Sequence, residues 1–340
     1  MKVFATLTAA LALVSAPSAH AQVTINTSSW IASSHPLVAG ITVPLCNDIS
    51  SVTQGRVKCN MLPKAVVSAP QTFDAIRDGV ADLSFIVEGY TPGRFMLTKA
   101  AEFPFLGNTA EANSVAYQRT YDQYFAKADE HKGVKVLAVF THGPGQLFTA
   151  NRAVTSVEEL RGLKLRTGGG LINDLFKALG ATGMFKPAPE VYELMSGGIV
   201  DGFVFPMETA ESLKLIPLFK HSTQFPGGLY NVSFSMIMNP AKWAQISKPD
   251  QTAMQRLFGE PLARRAGKAW DEADARGLAA MKKAGIQFHP AGANFVAEVR
   301  QRAEPLEAQW VNAVKAKGVD GAAALKTMRE QISRETGKTQ

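Results

Sequence analysis

Apolar and polar positions along this chain recur with two periods. In "FDAIRDGVADL", from Phe73, the apolar residues Phe73, Ile76 and Val80 stand at i, i+3 and i+7, the spacing of one helix face. Gly79 supplies the left-handed stop that ends many helices. "ADLSFIV" then runs as a continuous apolar stretch, which predicts a buried strand. The phrase returns in "YELMSGGIVDG", from Tyr192. Tyr192, Met195 and Ile199 repeat the spacing, Gly197 and Gly198 stop the helix, and "VDGFVF" is the strand. A helix, a tight turn and a buried strand written twice predict two similar units, each a sheet covered by helices.

The same grammar extends along the chain. Residues 37–53 read as a helix and 56–62 as a strand with Val57, Cys59 and Met61 on one face. A helix at 111–130 leads to a strand at 134–140. A short strand at 163–167 leads to a helix ending at Gly180, and "GMFKPA" is the next strand. The alternation predicts an α/β clamshell of two lobes, each built on a mostly parallel sheet. Residues 249–284 keep helical spacing for an unusual length, with Pro261 expected to kink or break the helix. Such a helix can run along both lobes as a spine. Residues 292–316 and 320–335 read as two more helices. The expected division is lobe I at 22–143, with 231–270 returning to it, and lobe II at 144–230, with 271–340 packing on it.

The first residues stand apart from this pattern. Lys2, the apolar run "VFATLTAALALV" and small residues at Ala19 and Ala21 make a signal peptide expected to be cut after Ala21. The run is too short to span a membrane. Export places the mature chain in an oxidising compartment, where Cys46 and Cys59 can pair. Two reduced core cysteines are an equal alternative, and 13 residues apart with no histidine cluster they make no zinc site. The formal net charge is +7 for 340 residues of which 46% are apolar. The basic residues are scattered without aromatic interleaving, so nucleic acid is not the expected partner.

Enzyme signatures are missing: there is no G-x-S-x-G, no H-E-x-x-H and no phosphate-binding loop. "HGPGQL" breaks the dinucleotide pattern. The candidate that stands out is Arg166, at the end of "LKLR" and before Thr167 and three glycines. Strand ends facing a crevice are where open α/β sheets hold ligands. The glycines admit close backbone approach and lead into a helix N-terminus, which attracts anions. An arginine fork there can hold a carboxylate through two parallel hydrogen bonds.

The stretch "VEELRGLKLRTGGGLINDLFKALGATGMFKPAPEVYELMSGGIVDGFVFP" resembles the signature region of the substrate-binding proteins of TRAP transporters, the tripartite ATP-independent periplasmic carriers, of the DctP type. The match runs through Leu160 to Arg166, Ala178 to Ala181 and Glu190 to Gly202. "HPLVAGITVPLCNDISSVTQGRVKCNMLP", "IRDGVADLSFIVEGYTPGRFMLTKAAEFPFLG" and "MNPAKWAQISKPDQTAM" look like the same family. The resemblance implies a periplasmic receptor that closes two lobes over one small organic acid and delivers it to a membrane permease. It also implies that Arg166 pairs with the ligand carboxylate. Two positions depart from the sialic-acid-binding members: Gln146 stands where they carry a second arginine, and Phe205 where they carry an asparagine. One guanidinium among aromatic walls suits a monocarboxylate with an apolar or aromatic body. His142, Glu88, Tyr90, Glu208, Trp243 and Trp30 are the further candidates for the pocket. No cofactor and no metal are expected, and a monomer is. The competing readings are a secreted enzyme on a similar scaffold and a ligand-binding subunit of a signalling protein.

Overall fold

The computed structural model describes residues 22–337, so the expected signal peptide lies outside the described residues. Its strands are β1 (Val23–Thr27), β2 (Val57–Met61), β3 (Leu83–Val87), β4 (Lys135–Thr141), β5 (Gln146–Thr149), β6 (Lys164–Thr167), β7 (Thr182–Phe185), β8 (Gly202–Phe205), β9 (His221–Gln224), β10 (Ser233–Met238) and β11 (Gln287–Pro290). The α-helices are α1 (Val43–Val52), α2 (Thr72–Arg77), α3 (Ala110–Thr120), α4 (Leu171–Ala178), α5 (Val191–Ser196), α6 (Thr209–Ser212), α7 (Pro240–Gln245), α8 (Lys248–Gln255), α9 (Glu260–Lys283), α10 (Ala293–Val314) and α11 (Gly321–Glu335).

The strands form two sheets, ordered β2-β1-β3-β10-β4 and β11-β9-β5-β8-β6-β7. One strand in each runs against its neighbours: β10 against β3 and β4, and β5 against β8 and β9. Both are the strands by which the chain enters from the other lobe, so they begin at the cleft where their neighbours end. The two crossings, 142–145 and 225–232, lie side by side. Gly145 N–H donates to Tyr230 O at 2.9 Å, and Leu229 N–H to Gly145 O at 2.8 Å.

The repeated phrase has one structural role in both lobes. α2 and α5 each span six residues and end at glycines with left-handed φ, 77° at Gly79 and 65° at Gly198. Beyond each, an aspartate accepts from a backbone N–H of the neighbouring parallel strand. Asp82 accepts from Asn26 N–H at 2.7 Å, and Asp201 from Lys164 N–H at 2.8 Å. The helical stripe ends earlier than the spacing predicts. Val80 and Ile199 are 57% and 50% exposed, and Tyr192 is exposed too. The left-handed glycine reverses the chain before the i+7 position, so Val80 and Ile199 instead close the turn, donating their N–H groups to Ala75 O and Leu194 O.

Three further expectations need correction. The stretch 249–284 is two helices, and the break falls at Gly259, whose φ is 64°, while Pro261 sits in the first turn of α9. Proline is tolerated there because the first N–H groups of a helix have no partner within it. The regular helix expected over 111–130 ends at Thr120, widens into a π-helical turn at Tyr121–Phe125, then tightens into a 3-10 turn at Ala126–Ala128 that stops at Asp129, with φ 53°. Residues 271–340 do not all pack on the second lobe. β11 joins its sheet, but Leu325, Met328 and Ile332 of α11 are buried with Ala112, Ala116 and Tyr117 of α3.

α9 does run along both lobes. A Cβ on Gly267 would meet Glu111 Cα at 2.3 Å, and one on Gly277 would meet Met207 O at 2.3 Å. The helix therefore touches backbone from each lobe, ten residues apart. Cys46 of α1 and Cys59 of β2 form a disulfide, with 5.5 Å between their Cα atoms.

Candidate functional site

Strands of both sheets end at the gap between the lobes, around a cavity lined from both sides. Its walls are mostly apolar: Trp30, Leu37, Val87, Phe205, Phe234 and Trp270 all contribute.

Arg166, in β6, is 0% exposed. Its guanidinium lies 4.0 Å over the Phe205 ring, and its Nε donates to Lys186 O at 2.8 Å. Nη1 and Nη2 are buried with no partner among the described residues. Burial lowers its pKa from the usual guanidinium value, and the hydroxyls of Tyr90 and Tyr230 partly offset this. An arginine nevertheless stays charged in a protein. The fork thus presents a fixed positive charge and two unsatisfied donors in a dry setting. A carboxylate supplies the matching pair of acceptors.

The other polar groups gather around Glu208. Its Oε1 accepts from Thr209 Oγ1 at 2.7 Å, and His35 Nε2 lies 3.5 Å away. Burial acts to raise the Glu208 carboxyl, but the contacts from His35 and Thr209 outweigh it and leave the pKa below the usual value. Its Oε2 has no partner. Nearby, burial pulls His142 down to about 4, so the ring is neutral at pH 7. Its Nδ1 contacts Gly143 O, and a neutral ring donates there only with its proton on Nδ1. Nε2 is then an acceptor, and it too has no partner. Among the described residues ten buried side-chain atoms lack partners. Five of them belong to Arg166, His142, Glu208 and Trp270, all lining this cavity.

Of the residues singled out from sequence, Arg166, Phe205, His142, Tyr90, Glu208 and Trp30 line the cavity together. Three do not. The Gln146 amide pairs both ways with the Phe225 backbone, at 3.2 and 2.6 Å, and so pins the two crossings together. Glu88 is buried against His131, 2.9 Å away, and Ser235, while Arg94 pairs with Asp74 instead. Trp243 packs on Phe258 and under Lys135, remote from the cleft. The glycine run also differs from expectation. Gly168 lines the cavity, but Gly169 and Gly170 face the other lobe. The N-terminus of α4 receives a carboxyl of the protein itself, as Leu171 N–H donates to Glu102 Oε2 at 2.8 Å.

Tyr230, His35 and Trp270 also line the cavity, and sequence reasoning misses them. Tyr230 sits in the crossing and Trp270 on the apolar stripe of α9. Neither position carries a local signal that separates a pocket wall from core. His35, just before the first helix and close to Trp30, has the better signal.

The family model described as "Bacterial extracellular solute-binding protein, family 7" matches residues 27–313. A TRAP periplasmic solute-binding protein from Bordetella bronchiseptica, solved with bound (R)- and (S)-mandelate, is 44% identical with a TM-score of 0.90, covering 92% of this chain and 99% of that one. A marine metagenome TRAP solute-binding protein specific for aromatic acids, solved with 3-hydroxybenzoate, is 33% identical with a TM-score of 0.86, covering 92% and 99%. Among curated relatives, the outer membrane transporter protein TsaT of Comamonas testosteroni is 33% identical over 91% of this chain and 92% of its own length.

Proposed function

This chain belongs to family 7 of the bacterial extracellular solute-binding proteins, and we propose that its cavity takes a monocarboxylate with an aromatic body through Arg166 and hands it to a TRAP membrane permease. The observation that carries the reading is the buried guanidinium whose two terminal nitrogens have no protein partner inside an apolar cavity. The relatives solved with mandelate and 3-hydroxybenzoate support the aromatic body, since both ligands join one carboxylate to one ring. The departures at Gln146 and Phe205 agree. Gln146 is spent on backbone, and Phe205 stacks on the fork, so Arg166 is the one cation among the residues that line the cavity, apart from its histidines. A second carboxylate would find Glu208 there instead of a counter-charge.

The first sheet and its helices act as one lobe and the second as the other, with the crossings 142–145 and 225–232 as the hinge. The receptor performs no chemistry on its ligand. Its work is differential affinity: the closed form binds tightly and the open form releases. Export by the N-terminal signal places it in the periplasm.

Calorimetry on ligand-stripped protein tests the reading with benzoate, mandelate and succinate. The aromatic acids are expected to bind and the dicarboxylate to bind weakly or not at all. Arg166→Ala should weaken binding by ~3 kcal/mol or more, because a carboxylate loses its charged partner in a closed site. Undiminished affinity in that variant would remove Arg166 from the site.

A further inference from the structure

We propose that the cavity selects a carboxylate whose apolar body carries a hydroxyl group, and that Glu208 or His142 accepts that hydroxyl's hydrogen bond. This rests on the reading of Arg166 as the carboxylate anchor.

Donors and acceptors are out of balance among the buried groups. At Arg166 the unsatisfied atoms, Nη1 and Nη2, are both donors. Around Glu208 the balance is reversed. Leu37 N–H donates to His35 Nδ1 at 3.2 Å, so a neutral His35 ring carries its proton on Nε2 and turns it toward Glu208 Oε1. With Thr209, that satisfies Oε1 and leaves Oε2 as a bare acceptor. His142 uses its Nδ1 proton on Gly143 O, so its Nε2 is a second bare acceptor. Both side chains are buried, 2% and 3% exposed, and both line the cavity. Neither atom receives a hydrogen bond from the described residues, although the Ser212 hydroxyl, also without a partner, lies near enough to Glu208 to help hold its carboxyl pKa down.

Buried acceptors without donors are costly, and a ligand group that supplies the missing donor gains what the protein lacks. His142 lines the same cavity as Glu208 and Arg166 and feels the charge of each. Trp270 adds a contrary atom at the same end. Its ring lies 5.9 Å from that of His142 and 5.7 Å from that of His35, and its Nε1 is a donor without a partner. A hydroxyl donates and accepts, so it serves both kinds of atom. An ammonium only donates, and a methyl group does neither. The chemistry therefore selects a hydroxy acid above an unsubstituted acid. A site built to bond a hydroxyl also rejects the analogue lacking it, because its own groups then stay unpaired.

The test is a ligand series on the full mature protein by calorimetry: benzoate, the three hydroxybenzoates, their methyl ethers, and phenylacetate against mandelate. At least one hydroxylated acid should bind tenfold or more tightly than its parent, and its methyl ether, where there is one, should lose that gain. In Glu208→Gln the hydroxyl advantage should shrink at least threefold while the parent acid changes less. The inference is overturned if no hydroxylated acid outbinds its parent, if the ethers bind as well as the hydroxyls, or if the advantage survives unchanged in Glu208→Gln. The comparison of hydroxyl with ether needs no variant, so a poorly folding Glu208→Gln would not blunt it. Failure of every aromatic acid, parents included, would instead overturn the carboxylate reading beneath.

Discussion

A guanidinium, an imidazole and a carboxylate share one cavity here, and burial treats each differently. Arg166 keeps its charge, His142 loses its own, and Glu208 holds its own because neighbours bond it. The His142 value has a consequence for acid stability. Its folded pKa of about 4 lies below the ~6.5 of a free histidine, so the unfolded chain binds the extra proton first as pH falls. The contribution is complete above pH 6.5 and is lost progressively down to about 4, on the order of 3 kcal/mol. Wild type should therefore lose more stability between pH 6.5 and 4 than His142→Phe does, measured by denaturant unfolding at each pH. Parallel curves would show that the folded ring takes its proton as readily as the unfolded one. Arg166 is legible in the sequence because a charged residue ending a buried strand is chemically conspicuous. Tyr230 and Trp270 are not, since an aromatic ring looks the same in sequence whether it faces core or cavity.

The elements show why the chain repeats itself. Each lobe needs a helix to turn sharply into a buried strand and a carboxylate to secure the strand beside it. Gly79 with Asp82 and Gly198 with Asp201 meet that need twice. Periodicity reports this well, because local backbone geometry is encoded locally. It fails where the turn overrides the period, at Val80 and Ile199, and where Gly259 rather than Pro261 divides the long helix. The disulfide adds a constraint between α1 and β2, closing a loop across 13 positions. Replacing both cysteines by alanine should lower unfolding free energy by about 3 kcal/mol on the loop-entropy estimate. Equilibrium denaturation of the double variant checks this, and a stability equal to wild type would mean the bridge adds nothing.

In the whole molecule the lobes are drawn together over the cavity. Tyr90 of lobe I accepts from Ala188 N–H at 2.9 Å, Glu102 from Leu171 N–H, and Lys99 pairs with Asp174. Backbone meets backbone at Gly89, where an added Cβ would lie 2.9 Å from Gly170 N and 3.0 Å from Gly169 C. The φ of Gly89 is one that other residues adopt, so Gly89→Val should fold normally and obstruct closure alone. Affinity should drop at least tenfold, a loss of about 1.4 kcal/mol or more, with the melting temperature of the ligand-free protein unchanged. Wild-type affinity in that variant would show that closure does not require this contact. Sequence by itself determined the two α/β units, their shared turn and the arginine at a strand end, because these follow from neighbouring residues and backbone geometry. Only the tertiary structure decided that Gln146 and Glu88 serve the scaffold, that Glu102 caps α4 from the opposite lobe, and that His35, Glu208 and Trp270 converge on one cavity. Those outcomes depend on which distant segments share the same dry space, and therefore on which buried polar groups find partners.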